Sequence, residues 1–257
     1  WPAELPQTVE RPRAAPTWVA KSSRLNSQDE GWVGRRVGGM IRRSVRRHFR
    51  TVYWSPPAEP ILAPSILVPN HHGWFDGYLM YHVVTSLGLR SLDWIQEFDA
   101  FPLFSKVGGM PYPIDDPIKR AQTVRRTIRL MRDQARSLVL FAEGQLHPPP
   151  TLLSFGRALE VVASKVPSAS IIPVAIRYEM SLHQRPEAYI GFAPPVPLGE
   201  DLAQRTRTAV ATRLESLGQE SRQSKESFNI LVRGTLDVNE RWDMRRFRNR
   251  SEKPAAD

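Results

Sequence analysis

The sequence predicts an α/β fold, a mixed central β-sheet flanked by helices, with a basic amphipathic helix at its N-terminal side. Through the body of the chain, short apolar runs alternate with stretches of helical periodicity, which is how helices packed on a sheet are written. The length of 257 residues suffices for one such domain with its own core. A hydrophobic fraction of 41% with 24% charged residues is that of a globular chain, so the 23 prolines mark turns and extended connections, not low complexity.

Residues 1–31 are rich in Pro, Ser, Arg and Gln without apolar periodicity and are expected to be a flexible lead-in. A helix is expected over 32–54. There Val33, Val37, Met40, Ile41, Val45, Phe49 and Val52 recur at three- and four-residue spacing, and Arg35, Arg36, Arg42, Arg43, Arg46, Arg47 and Arg50 take most of the remaining face. Such a helix suits a headgroup layer, each arginine adding about 1 kcal/mol on anionic lipid. Trp32, Tyr53 and Trp54 bracket it as interfacial aromatics. A soluble packing helix is the competing reading, and Gly38-Gly39 weaken either by about 1 kcal/mol each.

One domain is expected over 55–235, after the turn at Ser55-Pro56-Pro57. Its strands are predicted at Ser65 to Pro69, Leu92 to Glu97, Ser137 to Ala142, Ala169 to Arg177 and Ala188 to Phe192. Helices are predicted at Tyr78 to Ser86, Ile118 to Arg132, Gly156 to Ser164 and Asp201 to Leu217, with Asp116 and Pro117 starting the second. Residues 236–257 read as a basic tail.

The net charge of +10 predicts an anionic partner: a lipid surface, a nucleic acid or a phosphorylated cosubstrate. No cysteine is present, which excludes disulfides, thiolate metal sites and a cysteine nucleophile. The sequence contains no apolar run of about 18 residues and no secretion signal, so a peripheral protein is expected. Neither a Gly-rich phosphate loop nor a Gly-x-Ser-x-Gly elbow occurs. Arginine-rich segments, including Arg241 to Arg250 with Trp242 and Phe247 interleaved, keep a nucleic-acid-binding protein as the rival reading. No recognised nucleic-acid-reading module accompanies them, and no nucleic acid is expected.

The chemistry gathers where the apolar strand Ser65-Ile66-Leu67-Val68 runs into Pro69-Asn70-His71-His72-Gly73-Trp74-Phe75-Asp76-Gly77. A turn that folds Asp76 back onto one ring nitrogen of His71 leaves the other nitrogen as a positioned proton acceptor. Spacing alone also allows Asp76 merely to cap the next helix. The His71-His72 pair suggests a metal, but no HExxH or comparable ligand set follows, and none is expected.

Three blocks together resemble the glycerolipid acyltransferase family of the lysophosphatidic acid acyltransferase type. They are Asn70-His71 with Asp76, the strand Leu138-Val139-Leu140 leading into Phe141-Ala142-Glu143-Gly144, and the apolar Ile171-Ile172-Pro173-Val174. The resemblance implies direct transfer of a fatty acyl group, with His71 as general base and Asp76 orienting it. It implies that Asn70, Glu143, Gly144 and Gln145 meet substrate; Pro173, which donates no hydrogen bond, is expected to shape an edge or bulge nearby. It further implies an acyl-CoA or acyl carrier protein thioester as co-substrate with no bound cofactor, a lipid acceptor, and peripheral attachment to an anionic membrane surface on the cytoplasmic face. An inactive membrane-bound scaffold of the same fold is the second rival.

Two arginines of the family pattern are missing. Asp115-Asp116 follow Gly109-Met110-Pro111-Tyr112-Pro113-Ile114, and Gln145-Leu146-His147 follow Gly144. A phosphate monoester favours bidentate guanidinium contacts, so a less anionic acceptor is expected: a lyso-aminolipid, or a sugar hydroxyl on a glycolipid or carotenoid glycoside. Lysophosphatidic acid stays open if Lys119, Arg120, Arg157 or Arg177 supplies the charge. The stretch Phe98 to Val107 is read as core filling rather than as an acyl tunnel.

Overall fold

Apolar alternation on both faces makes Ser65–Pro69 a strand buried from end to end, and the sheet grows outward from it. The computed structural model describes residues 31–180 and 182–242. The lead-in expected over 1–31 falls almost wholly outside the described residues, as does the tail beyond 242. In chain order the elements are α1 (Gly31–His48), β1 (Thr51–Ser55), β2 (Ser65–Pro69), α2 (Asp76–Ser86), β3 (Ser91–Ile95), β4 (Gly109–Pro111), α3 (Pro117–Gln134), β5 (Ser137–Val139), α4 (Ala158–Lys165), β6 (Ser170–Glu179), β7 (Glu187–Phe192), α5 (Leu202–Gln223), β8 (Asn229–Arg233) and α6 (Val238–Arg241). The sheet order is β4-β3-β5-β2-β6-β7-β1-β8. Strands β4, β3, β5, β2 and β6 run parallel, β7 is antiparallel to β6, and β8 is antiparallel to β1, so the sheet is mixed as expected.

The period-two pattern of β2 sorts its side chains into two layers. Leu67 joins Leu79 and Val83 of α2, whereas Ile66 and Val68 join Met131 of α3 and Leu159 and Val162 of α4. Asp116 caps α3 by accepting the Lys119 N–H at 2.8 Å, with Pro117 at the first helical position, as predicted.

Several expectations change. The amphipathic helix stops at His48, and Tyr53 and Trp54 belong to β1, where Trp54 is a core side chain and Tyr53 stacks on Tyr189 at 5.0 Å. The apolar stripe of α1 does not face lipid: Val37 and Ile41 pack on Tyr81 of α2 and on Val107. Its outer face carries Trp32, Arg35, Arg36, Arg43, Arg46 and Arg47, all exposed. Strands β1, β4 and β8 were not predicted, and α5 runs six residues past Leu217. Pro173 is not at an edge, since β6 lies between β2 and β7. Its C=O accepts from Ala193 N–H at 3.0 Å, just past the β6–β7 ladder, which ends at Val174–Phe192. On a strand the N and C=O of one residue point the same way. The missing N–H therefore lies on the β7 side at the very end of the ladder, where the proline interrupts it least.

The turn between α1 and β1 is locked by the segment after β8. Gly234 N–H and Thr235 N–H donate to the carbonyls of Arg50 and Phe49, both at 3.0 Å. A Cβ on Gly234 would stand 1.9 Å from the Phe49 carbonyl oxygen, which is backbone and cannot yield. Gly234→Ala is expected to destabilise the fold by about 3 kcal/mol through this clash. A thermal melt checks it, with a fall in Tm of about 10 °C expected.

Candidate active site

The five parallel strands end on one edge of the sheet, where ligands of such folds bind, and every candidate residue comes from those ends. Leaving β2, the chain turns at Gly73 and enters α2 at Asp76. Within that turn His71 Nδ1 lies 3.0 Å from Asp76 Oδ2. A carboxylate oxygen only accepts here, so Nδ1 carries the proton and Nε2 keeps its lone pair. His71 lines a cavity of about 560 Å³, with Trp74, Tyr78, Trp94, Phe104 and Phe141 among its walls. That size and apolar character suit an organic ligand.

Asp76 is fully buried and held from three sides. Oδ2 also accepts from Gly73 N–H at 2.8 Å, and Oδ1 accepts from the Tyr178 hydroxyl in a short hydrogen bond. Burial and the adjacent carboxylate push the Tyr178 phenol far up, which keeps it a donor. Gly73 is required because a Cβ there would stand 2.4 Å from the Tyr178 ring. Tyr178 was not anticipated from the sequence. The signal was parity, since Tyr178 follows Ile176 by two along β6 and so points to the face where α2 packs.

Asn70 and Glu143 stand where they were expected but are turned inward. Asn70 has no exposed surface: Oδ1 accepts Ile176 N–H at 2.7 Å and Nδ2 donates to Ile176 C=O at 3.0 Å. It clamps β2 to β6. Glu143 Oε1 accepts the backbone N–H of His71 at 2.7 Å, while Oε2 takes Leu153 N–H at 2.7 Å and His147 Nε2 at 2.5 Å. His147 N–H in turn donates to the His71 carbonyl at 3.2 Å. Both residues hold the loop that carries His71, and every polar atom they own has a partner within the protein. Gly144, with φ of +73°, and Gln145 do line the cavity. So do Phe104 and Val107, which also pack against α1, so the stretch read as core filling forms cavity wall as well.

His72, Glu143 and His147 lie close enough to share a cation, yet their hydrogen bonds oppose it. The backbone of Ile176 fixes which end of Asn70 is the amide, and that Nδ2–H also points at His72 Nδ1 at 3.2 Å. His72 Nδ1 is therefore the acceptor and Nε2 carries the proton, with no lone pair to offer a metal. The cluster joins the loops after β2 and β5.

Charge around the cavity differs from the sequence expectation. Asp116 is spent as the α3 cap, and neither Asp115 nor Asp116 lines the cavity. Arg120 and Arg157 do, whereas Lys119 lies 3.9 Å from Asp116 and Arg177 pairs with Glu179 at 2.5 Å. Asp93 of β3 is a wall residue that sequence reasoning missed, although a carboxylate inside the apolar run Leu92-Asp93-Trp94-Ile95 is itself a signal. Its Oδ1 is shut off from solvent without a hydrogen-bond partner, and burial pushes the carboxyl up to about 7, against the opposing field of His71.

A family model described as Acyltransferase matches residues 55–177. Among solved structures, the chain resembles the 1-acyl-sn-glycerophosphate (LPA) acyltransferase PlsC from Thermotoga maritima, with a TM-score of 0.53 at 17% identity over 79% of this chain and 89% of that one. No curated protein matches the sequence.

Proposed function

From the match of residues 55–177 to the acyltransferase family, we propose that the protein is an acyltransferase of the glycerolipid type, moving a fatty acyl group from a thioester to a hydroxyl of a lipid acceptor. The observation that carries the reading is the His71–Asp76 pair, with His71 Nε2 free at the wall of an apolar cavity. As the acceptor hydroxyl attacks the thioester carbonyl, Nε2 takes its proton. The C–O bond forms, the C–S bond of the tetrahedral intermediate breaks, and the imidazolium returns the proton to the departing thiolate. Asp76 holds the ring throughout and balances its transient charge. Transfer is direct, and Arg120 and Arg157 offer donors for the anionic or polar head of donor or acceptor. These two arginines return phosphate-bearing lysolipids to the candidate acceptors beside sugar lipids.

Membrane contact is proposed through the exposed arginines of α1 and Trp32, not through its apolar stripe. None of the described helices is long and apolar enough to cross a membrane. The test pairs radiolabelled acyl-CoA and acyl carrier protein donors with a lysolipid, a monoacylglycerol and a glycolipid, and separates products by chromatography. A labelled ester formed with stoichiometric free thiol is expected. Folded protein that yields no ester with any pair would end this reading. Alongside, sedimentation with phosphatidylglycerol vesicles is expected, weakening with salt, and little with phosphatidylcholine vesicles. Binding to DNA without binding to vesicles would favour the nucleic-acid reading.

A further inference from the structure

We propose that Asp93 selects the acceptor: its carboxyl group receives a hydroxyl neighbouring the one that His71 deprotonates, so that the acceptor is a vicinal polyol. The inference rests on the acyl-transfer reading and narrows its substrate class.

Placement comes first. In the sheet Asp93 stands between Gly109 of β4 and Val139 of β5. Leu92 points into the layer of α3 and α4, so Asp93 points to the opposite face, where α2 begins. There its Oδ2 lies 3.7 Å from the position a Cβ on Gly77 would take, one residue beyond Asp76. Asp93 and His71 share the wall of one cavity. A small acceptor head in that space meets the base and the carboxyl together.

Asp93 is also only partly satisfied, the Trp94 N–H bearing on its carboxyl group. Its Oδ1 has no solvent contact and no hydrogen-bond partner among the described residues, a costly arrangement that keeps the carboxyl group in want of donors. The polar machinery around it is otherwise engaged: Asp76 has three donors and Glu143 has three. Asp93 takes no part in holding His71. Asp93 lines the cavity beside His71 and is partly open to it, so a polar ligand head there can meet its carboxyl group.

The chemistry of the partner follows from the charges. A phosphate against a carboxyl is repelled, and an acceptor ammonium would face Arg120 and Arg157 in the same cavity. With the carboxyl raised to about 7, its natural counterpart is a neutral donor. A hydroxyl fits, and glycerol and sugar heads place two hydroxyls on adjacent carbons. One then faces His71 Nε2 while the next donates to Asp93.

The experiment compares 1-octanoylglycerol with 1-octanoyl-1,2-propanediol, which lacks only the second hydroxyl. Binding is measured by calorimetry and transfer by label incorporation, with wild type, Asp93→Val and Asp93→Asn, each checked by thermal melting. Wild type is expected to favour the diol by about tenfold or more in Kd and in kcat/KM, since a site built to bond a hydroxyl penalises its absence. Asp93→Val is expected to erase the preference, the diol and the propanediol ester then being bound and turned over within about threefold of each other. Asp93→Asn, which keeps an acceptor oxygen, is expected to retain part of it. Transfer without any diol preference in wild type overturns the proposal and leaves the acyltransfer reading standing. Diol-selective binding that Asp93→Val abolishes, in protein that transfers nothing, supports the site and sinks the reaction instead. If Asp93→Val does not fold, the wild-type comparison decides alone.

Discussion

Replacing His71 with alanine is expected to lower acyl transfer by about a thousandfold, within the range general-base catalysis supplies. Most structural links of the loop are made by the backbone or by other side chains. The His71 N–H stays on Glu143 and its C=O on His147. Asp76 keeps Gly73 and Tyr178 as donors. The ring itself contributes one hydrogen bond and a contact with Phe141 at 4.3 Å between centroids. The loss in stability should therefore be about 2 kcal/mol, the worth of one bond to a charged group. Initial rates of thiol release at saturating acceptor, beside a melting curve, make the measurement. Activity within fivefold of wild type would remove His71 from the mechanism, whatever its geometry.

The parts of this protein legible in its sequence are those set by local pattern. The strands at β2 and β6 and the helix start at Asp116-Pro117 follow from periodicity and capping. The His71–Asp76 contact was allowed by a spacing of five across a strand end and singled out by the resemblance of Asn70-His71 and Asp76 to a family block. What could not be read are the partners brought by topology. The partners that Asn70 and Glu143 hold in the fold, Ile176 and His71, could not be read because they lie 106 and 72 residues away. β1 was absorbed into the helix because Phe49 and Val52 continue the stripe of α1. Both are core side chains, but beyond the turn after His48. β4 has three residues, too few for alternation to show, and only the neighbouring β3 makes it a strand. Asp115 and Asp116 misled for the opposite reason, since the helix they introduce turns them from the cavity and brings Arg120 toward it.

Asp76 offers the sharpest separation of the catalytic reading from the plain structural one. If it merely starts α2, asparagine should serve as well, because the two are equivalent at helix N-termini. If it orients and charge-balances His71, Asp76→Asn should lower transfer by at least a hundredfold. The amide can place its oxygen where Oδ2 stands, keeping His71 Nδ1–H and Gly73 N–H satisfied, while Tyr178 turns to accept from the amide nitrogen. In that pose the tautomer survives but the negative charge beside the forming imidazolium is gone. In the reverse pose the amide N–H meets the ring, Nδ1 becomes the acceptor, and Nε2 is protonated and useless as a base. Both poses are inactive for chemical reasons and costly only modestly for the fold. Asp76→Ala differs, leaving the buried Gly73 N–H and the Tyr178 hydroxyl without acceptors. It should cost about 3 kcal/mol and about 10 °C in Tm besides the rate. Rates and melts on both variants decide between the roles. An Asp76→Asn protein with near wild-type turnover assigns the residue to the helix, whereas a folded, inactive one assigns it to the base.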